Sequence, residues 1–228
     1  MKRAEIYALI NKFAPPETAE EWDCVGVLAE NGNEEIKKIL LCLTVTEDIF
    51  NQALEQKCDM IISHHPLFYV PIKYKSINIF CAHTNLDLAK GGTTDTLIKN
   101  LGLEKSEENG FVRYVDLTSP ISVSEFAQKL KKLSPNLRYV NNKNVKTIQK
   151  IAFCAGSGSE FIETAKDEGA DAFVTGDLKF HTALESPIVI FDIGHFESEI
   201  PILKVFEGLL QNKAEIILAK EESPFKTI

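Results

Sequence analysis

The stretch Cys58–Tyr69, CDMIISHHPLFY, sets two imidazoles side by side at His64 and His65. The chain has five histidines, and all of them fall in four short motifs. These are SHHP (His64, His65), AHTNLD (His83, with Asp87), TGDLKFH (His181, with Asp177) and GHFESE (His195, with Glu199). Each lies near the end of a short apolar run that reads as a strand. In parallel α/β sheets, the C-terminal strand ends are where ligands bind. Imidazole nitrogen with carboxylate oxygen suits Zn, Mn, Fe, Co or Ni, and the lack of a nearby thiolate pair argues against a structural zinc site.

Adjacent side chains of a strand point to opposite faces. His64 and His65 therefore converge on one site only if the backbone turns there, and Pro66 ends strand pairing directly after them. His195 and Glu199 have i, i+4 spacing, so a helix beginning near Gly194 puts them on one face. His83 and Asp87 repeat that spacing, with TNLD readable as a loop or a helical turn. Taken singly, each motif has a plainer explanation: a capping or packed imidazole, or a carboxylate favoured by a helix dipole. The coincidence of all five histidines at strand ends favours a metal centre.

The elements that must position these groups alternate. Strands are expected over 37–45, 59–63, 77–82, 112–117, 148–155, 171–175, 187–193 and 214–219. Helices are expected over 3–14, 47–57 with Thr46 as N-cap, 93–100, 122–133, 159–168 and 197–211. Such alternation implies an α/β fold with a largely parallel sheet. The polar segment 104–110, EKSEENG, reads as a linker. Sliding the chain by 112 residues, without gaps, lays Cys42 on Cys154, Asp59 on Asp171, His83 on His195 and Asp87 on Glu199. The expectation is two similar α/β lobes, 1–108 and 109–228, related by an approximate two-fold axis with the metal site between them. C-terminal elements could pack back on the first lobe. Asp177 and His181 fall on the repeat positions of His65 and Tyr69, and read as groups that support the site or move protons without ligating. CAGSGSEF (154–161) reads either as an anion site at a helix start or as a tight strand-to-helix turn.

Composition is that of an ordinary soluble domain, with net charge −8 and a sequence pI near 5.2. The acidic balance argues against nucleic acid as a partner. No apolar run has the length of a signal peptide or a membrane span, so a cytoplasmic location is expected. The five cysteines lack CxxC spacing and read as reduced, mostly buried small hydrophobes.

EEWDCVGVL, the HHP segment, AHTNLDLAKGGTTDTL, CAGSGSEF with TGDLKFH, and DIGHFESE, in this order, resemble the NIF-three-like family. Many of its members are labelled GTP cyclohydrolase 1 type 2 homologues. The resemblance covers nearly the whole chain. It implies a two-lobed subunit, two divalent metal ions per subunit and a toroidal homohexamer, with no inserted middle domain here. Carried over by motif, the ligands are His64, His65, Asp87, His195 and Glu199, with Glu199 favoured as the bridging carboxylate; Asp95 is retained from the GG-x-ND motif as a supporting group. Cys24, Thr94 and Thr44 depart from the family pattern and put substrate contacts in doubt rather than metal binding. The implied activity is a metal-dependent hydrolase acting on a nucleotide-like molecule such as GTP, with His181 or His83 supplying a proton. The rivals are a non-catalytic metal-binding assembly or regulatory protein, a phosphoesterase, and a hexamer threaded by DNA.

Overall fold

KILLC, MIIS and AFVT are short apolar runs without the alternation of a half-exposed sheet, the pattern of strands buried on both faces. In the computed structural model, which describes residues 1–226, all three are strands. In chain order the first lobe is built from α1 (Arg3–Phe13), β1 (Gly26–Ala29), β2 (Lys38–Cys42), α2 (Glu47–Glu55), β3 (Met60–Ser63), β4 (Asn78–Cys81) and α3 (Thr84–Leu88). The second lobe follows with α4 (Thr93–Asn100), β5 (Glu107–Asn109), β6 (Val112–Ser122), α5 (Val123–Lys131), β7 (Arg138–Val140) and β8 (Thr147–Phe153). It continues through α6 (Ile162–Asp167), β9 (Ala172–Thr175), α7 (Phe180–Glu185), β10 (Val189–Asp192) and α8 (His195–Glu199). The chain then returns to the first lobe as α9 (Leu203–Leu210) and β11 (Glu215–Leu218).

The first lobe carries a five-stranded sheet in the order β1-β4-β3-β2-β11, parallel except for the antiparallel edge strand β1. The second carries a six-stranded sheet in the order β5-β6-β8-β9-β10-β7. Only β8, β9 and β10 are mutually parallel there, because β6, β5 and β7 all pair antiparallel. The expectation of a largely parallel sheet therefore describes the first lobe better than the second.

The 112-residue offset survives in the register. Ile39 pairs with Met60 in the first sheet, and Ile151 pairs with Ala172 in the second, both partners moved by 112. Asp59 accepts the N–H groups of Lys37 and Lys38, at 2.8 and 3.0 Å. Asp171 accepts those of Gln149 and Lys150 at the same distances. After α2 the chain turns through Lys57 at φ +54°, and after α6 through Gly169 at φ +81°. Each sheet also has an antiparallel edge strand at the matching place, but its register slips by one: Gly26 pairs with Cys81 and Arg138 with Asp192, the first partner moved by 112 and the second by 111.

Several boundaries differ from the sequence expectation. The compact units divide at Gly92/Thr93 rather than at 108/109, and Ile202–Glu222 rejoins the first. Segment 104–110 is not a linker: Glu107–Asn109 forms β5 and pairs with β6, its side chains all exposed. An exposed edge strand needs no apolar alternation, so its polar sequence resembles a loop. The single helix expected over 197–211 is broken into α8, a 3-10 turn at Ile200–Ile202 containing Pro201, and α9. β1, β7 and α7 were not anticipated; the two strands have three or four residues each, too short for periodicity to register.

Local signals account for the other ends. Thr46 Oγ1 accepts the Ile49 N–H and opens α2, and Ser122 Oγ accepts the Glu125 N–H and opens α5. In the second lobe alternate strand residues feed two cores. Ile151, Phe153, Val174 and Phe191 go to one, and Ala152, Phe173 and Ile190 to the other. In the first lobe Leu40, Ile61 and Ile79 pack with Phe50 and Tyr74. Cys42, Cys58, Cys81 and Cys154 are buried, and none of the cysteines forms a disulfide among the described residues. Among those residues, no helix is long and apolar enough to cross a membrane.

Candidate metal centre

In the first lobe β3 and β4 end beside one another, and three imidazoles meet there. His64 and His65 leave β3, and His83 follows β4. The backbone does turn after Ser63, and the His64 and His65 ring centroids lie 5.1 Å apart. Those of His83 lie 5.3 Å from His64 and 5.7 Å from His65. One ring nitrogen from each falls within 4.8 Å of the other two. TNLD is helical, so Asp87 sits one turn after His83 and its Oδ1 lies 3.4 Å from His64 Nε2.

Each ring is held from behind. His64 Nδ1 lies 3.0 Å from the Ala82 carbonyl, which can only accept, so the proton is on Nδ1. His65 Nδ1 is 2.6 Å from Thr44 Oγ1. His83 Nδ1 lies 3.0 and 3.1 Å from the two oxygens of Asp23. The Asp23 side chain is fully buried and also accepts Thr84 N–H at 3.0 Å, Thr84 Oγ1–H at 2.5 Å and Cys24 N–H at 2.7 Å. Burial works to raise its carboxyl pKa, but the Thr84 and His83 bonds outweigh burial and hold it below the ordinary value. Burial, followed by the neighbouring His64, pushes His83 down and favours the neutral ring.

In the second lobe β10 ends at Asp192, and Gly194 at φ +84° starts α8. Helical i, i+4 spacing brings His195 Nε2 to 3.0 Å from Glu199 Oε2. His195 Nδ1 is 2.7 Å from Asp177 Oδ2. Burial opposes a charged His195, yet Glu199 and then Asp177 outweigh it and lift its pKa to about 9. Asp177 is one of the few non-glycine residues at positive φ, +54°, which turns the chain out of β9 and aims its carboxylate at His195. His195 and Asp177 also border a cavity of about 240 Å³, together with Arg138, Asp192, Glu197 and Phe225.

The remaining expected residues lie elsewhere in the lobes' structure. His181 is exposed on α7 with its ring against Phe180. Asp95, on α4, pairs with Arg113 and Lys105, each at 3.2 Å. In CAGSGSEF two of the donors that the anion-site alternative would use are already engaged. Gly156 N–H is given to Ser198 Oγ at 2.8 Å and Gly158 N–H to Thr175 Oγ1 at 2.9 Å, bonds that hold the segment as a strand-to-helix turn.

Sequence reasoning missed Asp23 and the part played by Thr44. Asp23 lies outside every element expected from the sequence and contacts His83 sixty residues away, which no local pattern reveals. Thr44, whose departure from the family pattern bears on substrate contacts by resemblance, touches the imidazole of His65.

Two similar α/β lobes, each bringing imidazole and carboxylate together at the C-terminal end of its parallel strands, define a candidate metal-binding α/β protein. The chain belongs to the Duf34/NIF3 (NGG1p interacting factor 3) family, whose model matches residues 1–224. It is 36% identical to a Clostridium perfringens protein called "GTP cyclohydrolase 1 type 2 homolog", with 100% of both chains covered. Its fold is similar to that of reduced HcgD from Methanocaldococcus jannaschii, with TM-score 0.83, 31% identity, and 97% and 98% of the two chains covered. A hypothetical protein of Staphylococcus aureus is likewise similar, with TM-score 0.86, 25% identity, and 100% and 99% covered.

Proposed function

We propose that the protein is a metal-dependent hydrolase acting on a small nucleotide-like molecule. In this reading two divalent ions are held through His64, His65, Asp87, His195 and Glu199. One observation carries it: His64, His65, His83 and His195 all have Nδ1 against an oxygen of the protein, namely Ala82, Thr44, Asp23 and Asp177. That is how protein-held imidazoles are oriented to ligate through Nε2. The donor set, imidazole with carboxylate and no thiolate, fits Zn, Mn, Fe, Co or Ni. Neutral rings are the form of imidazole that binds a cation.

Such ions would supply Lewis acidity and an activated water. The chain's own part is to orient the ligands and to move a proton. His83, fixed by Asp23 and not among the proposed ligands, is the better-placed proton carrier; exposed His181 is the other candidate. The relatives' name makes GTP the first substrate to test, while a phosphoester would call on the same ions. A homohexamer in the cytoplasm completes the proposal. Support for self-association comes from large apolar side chains left exposed in both lobes, Phe68, Tyr69 and Ile72 in one and Phe180 and Leu184 in the other. The same surfaces favour the second reading, a metal-bound assembly without turnover.

The deciding experiment is metal content per chain, on protein purified without a metal-affinity tag, followed by nucleotide turnover. About two ions are expected in the wild type. His64→Ala and Glu199→Ala should each lose metal while staying folded. A wild type that takes up none of Zn, Mn or Fe would overturn the hydrolase reading; loaded protein inert toward GTP, other nucleotides and phosphoesters would leave the assembly.

A further inference from the structure

Gly156 faces Glu199. At φ +68° it lies in the left-handed region, and a Cβ built on it would land on Glu199 Oε1 and stand 3.6 Å from His195 Cε1. The space that any other residue would fill is taken by the carboxylate. The loop is pinned in that place. Its N–H donates to Ser198 Oγ at 2.8 Å, and Ser198 Oγ–H donates to the His195 carbonyl at 2.7 Å. Its carbonyl accepts Gly176 N–H at 2.7 Å and Thr175 Oγ1–H at 3.2 Å. Gly176 completes the seat, because a Cβ there would stand 2.7 Å from the His195 backbone nitrogen.

We infer that Gly156 is a positioning residue for Glu199: the CAGSG turn is a backstop that fixes where the Glu199 carboxylate stands beside His195. This rests on the proposed metal-binding role of Glu199. The two glycines differ in what a methyl group would meet. At Gly176 it meets backbone, which cannot yield, so a substitution there attacks the fold. At Gly156 it meets the far end of a side chain, which can swing away. Gly156→Ala should therefore fold and misplace the carboxylate.

The test is titration of metal-stripped protein with Mn(II) and with Zn(II), alongside thermal melts. Gly169→Ala is the control, since Gly169 is also at positive φ, +81°, but a Cβ there meets nothing within 4 Å. Gly156→Ala should weaken binding by about 10–100-fold, the usual cost of disturbing a ligand's support. Gly169→Ala should lower the melting temperature and leave metal affinity unchanged. Adding Glu199→Asp to Gly156→Ala shortens the carboxylate arm and should recover part of the lost affinity. If the wild type binds metal and Gly156→Ala binds it equally well, or if the double variant recovers nothing, the positioning role is wrong and the metal reading survives. If the wild type binds neither metal, the metal reading itself has failed. Should Gly156→Ala not fold, Ser198→Ala takes its place: weaker binding supports the backstop, and unchanged binding overturns it.

Discussion

The two lobes present the same i, i+4 pair at a matching short helix, His83 as the N-cap of α3 with Asp87 inside it, and His195 with Glu199 both on α8. The pairs are tied differently. In the first lobe Asp87 reaches past its own histidine to His64, and burial beside that second imidazole lowers the pKa of His83. In the second lobe Glu199 turns back on His195, Asp177 holds its other nitrogen, and its pKa rises to about 9. A duplicated backbone thus carries two opposite electrostatic environments. Strand register and helix placement fix where the side chains start. Burial beside His64 decides the charge of His83 against the pull of Asp23, whereas Glu199, helped by the loop residue Asp177, decides that of His195.

The comparison breaks most sharply at Asp23 and Asp177. Asp177→Asn should weaken Mn(II) or Zn(II) binding by about 10–100-fold, because His195 is a proposed ligand. Asp23→Asn should leave metal affinity near wild type and lower stability by about 1–3 kcal/mol, since a buried hydrogen-bonded network loses its acceptor. Equal losses of affinity in metal titrations would make His83 a ligand and erase the distinction between the lobes.

Opposite pKa shifts give opposite pH dependence in the metal-free protein. His195 is raised to about 9, so its contribution to stability is full below the unfolded value of about 6.5 and is lost as pH rises through about 9. His83 is lowered, so the unfolded chain takes up that proton first and stability falls as pH drops below about 6.5. Melting curves in chelator should show His195→Gln removing the alkaline decline and His83→Gln removing the acid one. The same decline in both variants would mean that the two environments are alike.

Where the repeat is faithful, matched substitutions should match in effect. Asp59→Ala and Asp171→Ala each remove a carboxylate that accepts two backbone N–H groups, and each should cost about 1–2 kcal/mol in denaturant unfolding. The smallest effect comes from Lys57 and Gly169, the left-handed residues after α2 and α6. Lys57→Gly should stabilise by about 0.5–1 kcal/mol, because glycine takes that conformation without a Cβ clash. A destabilised Lys57→Gly would show that the lysine side chain makes a contact outweighing its backbone strain.

The sequence by itself determined the repeat, the α/β alternation and the histidine-bearing motifs. These are local or periodic properties: apolar runs of strand length, N-caps such as Thr46, and i, i+4 spacing that only a helix converts into proximity. It also carried the family resemblance. Tertiary structure alone decided what stands behind each imidazole. Asp23 and His83 are sixty residues apart, and Gly156 and Glu199 forty-three, so their contacts depend on the loops that strand register brings together. Polar edge strand β5 and short strands β1 and β7 escaped for the same reason. They are held in place by a neighbouring strand's hydrogen bonds, and nothing in their own sequence encodes that neighbour.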